Sequence, residues 1–181
     1  MTASIQSPAD LVNYGLSLVG YKKRIGSLYD GSEAAIVALD VYAQVRDEML
    51  RGDDTLDFAE GNATLQLLKQ APANGYINTP WQPINPALPW WYEYAYPADC
   101  LKVRSIRPQP NFVMDFDPAP NVFQTANDNY YVPAQKVILT DVPNALIVYT
   151  RQVTDLTTWE ADAIEALARS EERRVGKECR L

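Results

Sequence analysis

The chain has 181 residues, of which 47% are hydrophobic, and this size and composition are typical of one globular domain with a single core. It contains no histidine and only two cysteines, Cys100 and Cys179, which excludes a disulfide framework, a zinc site and most reactions that need an imidazole base. The formal net charge of −7 argues against a conventional nucleic-acid-binding protein, which would carry a basic surface.

Membrane insertion and secretion are not indicated by the sequence. No stretch approaches the roughly 18 apolar residues of a membrane helix, and the N-terminal MTASIQSPAD lacks the basic and apolar regions of a secretory signal. We therefore expect a protein made in the cytoplasm, with no membrane among its partners.

The first predicted helix covers residues 7–18. Ser7 is a suitable N-cap and Pro8 suits the first helical position. At helical spacing, the apolar face would comprise Leu11, Tyr14 and Leu18.

Residues 32–51 predict the clearest helix of the chain. Asp30 and Glu33 could form a capping box before it, and Gly52 occupies the position of a C-terminal glycine cap. Its apolar stripe would comprise Ala34, Ala38, Val41, Val45 and Met49.

A third, interrupted helix is predicted over residues 54–70, followed by an extended, proline-rich loop over residues 72–89. The helix would kink or break at Gly61-Asn62. Its apolar face would comprise Leu65, Leu67 and Leu68.

From residue 90 the hydrophobic pattern changes to alternation, which is typical of strands. The predicted elements are strands at 92–96, 101–105, 136–140 and 145–152, a loop at 107–129, a hairpin turn at 141–144 and a helix at 154–168 that Thr157 or Thr158 would cap. The order predicts an α+β fold with N-terminal helices, a small antiparallel β-sheet or hairpin insertion, and a C-terminal helix. We expect one domain over residues 1–168, with 7–70 helical, 90–152 mainly β and 154–168 helical.

The C-terminal string RSEERRVGKECR, residues 169–180, resembles the conceptual translation of a common short-read sequencing adapter. Residues 169–181 are accordingly interpreted as a non-native tail, so the natural protein would continue differently after Ala168. This tail holds five of the 16 basic and three of the 23 acidic residues, which leaves the rest of the chain with a net charge of −9.

Candidate chemistry is sparse in this sequence. Cys100 has no histidine to activate it and is better explained as a core residue than as a nucleophile. The carboxylates of Asp53, Asp54 and Asp57 are better explained as charges at a helix start than as catalytic groups or metal ligands. Asp115 and Asp117 form a second pair, and no glycine-rich nucleotide loop occurs. We therefore predict no catalytic, metal or cofactor site and no enzymatic activity.

An aromatic run is the most prominent local feature. The residues proposed for an interface are Trp81, Trp90, Trp91, Tyr92 and Tyr94. Such side chains could fill the core between sheet and helices, anchor a protein interface, or stack on sugars or bases. The sequence leaves these alternatives open.

Three segments, in this order, resemble the head-to-tail adaptor (connector) family of short-tailed bacteriophages, which includes tail tubular protein A. They are ALDVYAQVRDEMLR with the following LDFA and ATLQLL (38–68), YEYAYPADCLKVRSI (92–106) and ALIVYTRQVTDLTTWEADAIEALA (145–168). Together they span most of residues 7–168, and YxYPADCLKV is the most distinctive of the motifs.

The resemblance implies a structural subunit of the virion, located at the head–tail junction. Copies of the chain, typically twelve, would form a ring beneath the portal protein, and the next tail protein would bind the other side. Genomic DNA would pass through the ring without sequence-specific binding. The alternative is an aromatic-rich protein- or carbohydrate-binding module outside a phage particle.

Overall fold

The computed structural model describes residues 5–18, 20–52, 56–76, 80–108, 123–128 and 135–178. Within these ranges the chain has three helices and two antiparallel sheets, about 34% helix and 29% strand, which confirms the α+β class. The helices are α1 (Pro8–Leu18), α2 (Glu33–Gly52) and α3 (Ala161–Glu178). The strands are β1 (Glu60–Thr64), β2 (Leu67–Gln70), β3 (Tyr92–Ala95), β4 (Cys100–Pro108), β5 (Phe123–Asp128), β6 (Gln135–Thr140) and β7 (Ala145–Arg151).

The chain divides into two compact units where the sequence indicated one domain. The helical unit comprises Met1–Ala59 and Gln152–Leu181, and the sheet unit comprises Glu60–Arg151. Along the chain, the sheet unit is therefore inserted between the two parts of the helical unit.

Helix α1 begins with the predicted cap. The Ser7 hydroxyl accepts the backbone N–H of Asp10 at 3.2 Å, and the Asp10 carboxylate accepts the N–H of Ser7 at 3.1 Å. This reciprocal pair satisfies two N–H groups that the helix geometry leaves without partners.

The buried face of α1 is rotated around the helix axis relative to the predicted face. Leu11 is buried as expected, but Tyr14 and Leu18 are exposed, and Val12 and Leu16 are buried instead. The reason lies in α2, because Val12 and Leu16 join a core cluster with its small side chains Ala34, Ala35 and Ala38. Both helices also pack against α3, so tertiary packing selects the buried face of α1.

We expect Ser7→Ala to lower the free energy of unfolding by about 1 kcal/mol, since the N–H of Asp10 would lose its acceptor. Urea unfolding followed by circular dichroism measures this change. Ser17→Ala is the matched control, because Ser17 is exposed near the end of the same helix, where its hydroxyl donates to the Tyr14 carbonyl. An equal loss in both variants would contradict the capping role.

Helix α2 has the predicted extent but a different cap. Ser32 caps it by accepting the N–H of Ala35 at 3.3 Å. Asp30 instead accepts the N–H groups of Ser32 and Gly26, at 2.9 and 2.7 Å, and hydrogen bonds from these residues lower its pKa to about 2. The buried face comprises Ala34, Ala35, Ala38, Tyr42, Val45, Arg46 and Leu50. The predicted stripe is thus confirmed at Ala34, Ala38 and Val45, while Val41 and Met49 are half-buried.

The start of the C-terminal helix also differs from the prediction. Asp155 caps a 3₁₀ turn at Leu156–Thr158 by accepting the N–H of Thr157 at 2.9 Å, and α3 follows at Ala161. Neither Thr157 nor Thr158 is the cap. Buried Trp159 packs on Phe58 with ring centroids 5.0 Å apart, which holds this turn within the helical unit.

The predicted helix at 54–70 is wrong over its described part. A 3₁₀ turn at Asp57–Ala59 is followed by β1 and β2. Strand β1 pairs with β7 and β2 pairs with β3, so the backbone of this segment is bonded to partners distant in sequence. Helical spacing of the leucines could not predict those partners, and tertiary pairing overrides a weak local preference.

The sheet unit contains two sheets that share one core. The first has the order β1-β7-β4 and the second β2-β3-β6-β5. Their shared core comprises Leu65, Tyr94, Cys100, Ile106, Ile138, Val142, Ala145, Ile147 and Tyr149. Because side chains alternate along a strand, Glu93 and its cross-strand neighbour Leu139 face the other side of the second sheet.

The predicted hairpin between β6 and β7 is wrong, although both strands are confirmed. β6 pairs with β3 and β5, whereas β7 pairs with β1 and β4. The connection at 141–144, in which Asn144 has a φ of 47°, leads from one sheet to the other. Buried Val142 in this turn joins the shared core, which favours the crossing over a hairpin.

A strand was also missed in the predicted loop at 107–129. Residues 123–128 form β5, which pairs with β6 at the edge of the sheet that the described residues form. Mostly polar and only partly buried, β5 lacks the alternation by which strands are recognised. Asp53, Asp54, Asp115 and Asp117 lie outside the described residues.

Candidate functional site

The proposed interface residues lie mainly in one loop between β2 and β3. We call residues 80–91 the aromatic loop. The proline-rich sequence of this region predicted a segment without regular helix or strand, and the described residues confirm it.

Hydrogen bonds organise the aromatic loop. The buried Asn85 side chain accepts the N–H of Gln82 at 2.9 Å, and the Asn85 N–H donates to the Gln82 carbonyl at 2.8 Å. The Trp81 indole N–H donates to the Pro86 carbonyl at 2.8 Å. At the end of the loop, the N–H of Trp91 donates to the Asp141 carboxylate at 3.0 Å. The loop thus has a defined conformation that is tied to the second sheet.

Four large apolar side chains of this loop are exposed. The exposed fractions are 46% for Trp81, 67% for Ile84, 58% for Leu88 and 40% for Trp91. Exposed apolar groups clustered in one ordered segment are typical of a binding surface, whereas single exposed apolar residues are ordinary.

The five predicted interface residues do not share one environment. Trp81 and Trp91 are exposed and Trp90 is half-buried. Tyr92 packs partly against the shared core, with its ring 6.1 Å from that of Tyr94. For Tyr94 the interface prediction is wrong, because this side chain is only 1% exposed and its hydroxyl donates to the Val142 carbonyl at 2.9 Å.

Two further exposed loop residues, Ile84 and Leu88, were not predicted, because aromatic composition does not identify aliphatic side chains. A stronger signal was present in the sequence. Residues 71–92 contain no charged side chain, in a protein in which 22% of residues are charged. A charge-free segment marks a surface that can lose its water at low electrostatic cost.

A buried charge cluster lies elsewhere in the sheet unit. Lys69 on β2 forms an ion pair with Asp128 on β5, and its ammonium nitrogen is 3.3 Å from Oε1 of Glu93 on β3. The exposed fractions of the side chains are 8% for Lys69, 2% for Glu93 and 15% for Asp128. Since β2 and β5 are the two edges of the second sheet, the sheet curls enough for their side chains to meet.

Cys100 lies in the shared core, as predicted. Burial raises the pKa of its thiol, which disfavours the thiolate that a nucleophile needs. Among the described residues, no group of three or more Cys, Asp or Glu side chains is arranged to hold a metal ion. In the same part of the chain, no helix has the length and apolar character needed to cross a membrane.

Comparisons with known proteins do not assign this chain to a family. No family model matches the sequence, and no curated protein matches it either. The resemblance to the adaptor family rests on the three quoted segments alone. These segments fall on α2 to β2, on β3 with β4, and on β7 to α3.

Proposed function

We propose that this protein is a structural subunit of a phage head-to-tail adaptor, which assembles into a ring between the portal protein and the next tail protein. It belongs to the virion, at the head–tail junction. It acts through surfaces, and no chemical turnover is involved. DNA passes through the ring.

The observation that carries this proposal is the aromatic loop. It combines four exposed apolar side chains with a hydrogen-bonded backbone, and the sequence has no charged residue from 71 to 92. Aromatic and aliphatic anchors in an ordered segment are typical of the centre of a protein interface, because little conformational freedom is lost on binding.

The acidic balance supports the passage of DNA. Negative side chains near the channel of a ring repel phosphates, so the duplex slides without being held. Repulsion is screened over about 10 Å at 0.1 M salt, so only charges close to the channel contribute. Assembled rings should therefore show weak duplex binding even at low salt, and tight low-salt binding would contradict this part of the proposal.

Light scattering and negative-stain electron microscopy test the assembly role directly. The full chain, and a version in which a natural continuation replaces residues 169–181, are measured alone and with the portal protein of the phage that encodes them. We expect closed rings on the portal. A chain that stays monomeric and does not bind the portal would exclude the adaptor function.

Charge introduced into the aromatic loop should abolish this assembly. We expect Ile84→Asp and Leu88→Asp each to weaken the affinity at least about 30-fold, which is the loss of one contact of about 2 kcal/mol. Both side chains are more than half exposed, so folding stability should stay within about 0.5 kcal/mol of the parent. Tyr29→Asp is the matched control, because Tyr29 is 82% exposed and lies outside the loop. If all three variants assembled equally well, the aromatic loop would not be part of the interface.

The half-exposed indoles of Trp81 and Trp91 favour one alternative, a carbohydrate-binding module. Quenching of tryptophan fluorescence by soluble oligosaccharides, with no response to the portal, would favour it.

A further inference from the structure

We propose that the cluster of Lys69, Glu93 and Asp128 binds one proton, shared between the two carboxyl groups, and that loss of this proton loosens strand β5. This inference concerns a proton site within the sheet unit and does not depend on the assembly role.

Charge counting provides the first step. The three side chains are one ammonium and two carboxyls, so with both carboxyls ionised their own charges sum to −1. Glu93 is almost completely buried, and an isolated buried charge is costly. One bound proton makes the cluster neutral.

The contacts around Glu93 provide the second step. Lys69 Nζ contacts both the Glu93 and the Asp128 carboxyl, so the two carboxyls lie around one ammonium, where each disfavours the ionised form of the other. Although Lys69 Nζ is close enough to Oε1 for an ion pair, no donor in the described residues gives Oε1 a hydrogen bond of good geometry. A carboxylate with an unsatisfied buried oxygen favours its neutral form.

The charged groups that face Glu93 among the described residues come from two strands. Glu93 is faced by Lys69 from β2 and by Asp128 from β5, and its neighbour on β6 is the uncharged Leu139. Burial, and then Asp128, raise the pKa of Glu93 to about 7, with Lys69 opposing the shift. Because the two carboxyls are coupled, the proton belongs to the pair.

The position of Asp128 determines what happens when the proton leaves. It is the more exposed of the two carboxyls and stands at the end of β5, an edge strand whose pairing in the described sheet is to β6 alone. Moving Asp128 toward solvent relieves the repulsion, and β5 is the element that must shift.

Carbon NMR of the full chain, labelled at glutamate side chains, tests proton binding. The carboxyl carbon of Glu93, assigned by its absence in Glu93→Gln, should titrate near pH 7. In Asp128→Asn, which leaves Lys69 with one carboxylate, this midpoint should fall by at least one pH unit. Titration near the ordinary value of 4.5, or an unchanged midpoint in Asp128→Asn, would overturn the proposal.

The pH dependence of the free energy of unfolding is a second, independent test, and the direction of the change is predicted. A carboxyl whose pKa is raised from 4.5 to about 7 in the folded state favours folding fully below pH 4.5, and this contribution is lost as the pH rises through 7. The unfolding constant of the parent, relative to Glu93→Gln, should therefore increase up to about tenfold per pH unit between pH 5 and pH 7. Glu60→Gln, which alters the more exposed Glu60–Arg104 ion pair of the same unit, should retain the pH dependence of the parent.

Hydrogen exchange tests the strand. After correction for the intrinsic pH dependence of exchange, amides of β5 should exchange faster relative to β7 above pH 8, and Glu93→Gln should remove this difference. Parallel behaviour of β5 and β7 in the parent would overturn the link between the proton and the strand.

Discussion

Gly61→Ala is expected to destabilise the protein by about 1–3 kcal/mol, with no polar group or charge altered. A β carbon at position 61 would lie 2.7–3.1 Å from three atoms of the Tyr149 ring, and two of these distances are shorter than non-bonded carbon atoms adopt. Gly61 on β1 is paired directly with Tyr149 on β7, so neither backbone can move away without breaking the ladder. The ring cannot swing aside freely, because it is buried and its hydroxyl donates to the Asp99 carboxylate at 3.1 Å.

Chemical denaturation of Gly61→Ala and Gly52→Ala measures this effect with a matched control. A β carbon at Gly52 meets nothing within 4 Å, so that variant should match the parent or be slightly more stable. Combining Gly61→Ala with Tyr149→Leu tests the cause, since the clash disappears with the ring. If Gly61→Ala costs as much stability in the Tyr149→Leu background as in the parent, the steric explanation is contradicted.

Lys69→Met is the second substitution with a large expected effect, about 3–5 kcal/mol at pH 8. It keeps most of the apolar length of the side chain but leaves the carboxyls of Glu93 and Asp128 together without their cation. The cost should shrink toward pH 5, because protonation of the two carboxyls removes the uncompensated charge. Thermal unfolding and urea unfolding at the two pH values measure the difference.

A surface ion pair provides the comparison for Lys69. Arg169→Met removes an exposed pair with Glu165 on α3 and should cost at most about 0.5 kcal/mol. Adding Asp128→Asn to Lys69→Met should recover part of the stability, since a single remaining carboxyl can take a proton. A Lys69→Met variant as stable as Arg169→Met would show that the buried ion pairs do not hold the sheet.

The site was predictable in composition and unpredictable in geometry. Tryptophans at 81 and 91 and the prolines around them indicated an irregular segment suited to an interface, and that segment is an ordered loop. Tyr94 could not be separated from its neighbours, because its burial depends on Ile138 and Val142, which lie more than 40 residues away. The charge cluster could not be predicted from the sequence either, because Lys69, Glu93 and Asp128 come into contact only when the sheet curls.

The sequence by itself determined the elements that rest on local interactions. The extents of helices α1 and α2 follow from helical periodicity and the Ser7 cap, although the buried face of α1 does not. Strands β3, β4, β6 and β7 follow from runs of β-branched and aromatic residues. Only the tertiary structure decided what depends on partners distant in the chain. Pairing with distant segments produced strands β1 and β2 in place of a helix, placed β6 and β7 in different sheets, and formed β5 at the edge of the second sheet. The physical reason is that strand hydrogen bonds join separate segments, whereas helical hydrogen bonds close within four residues.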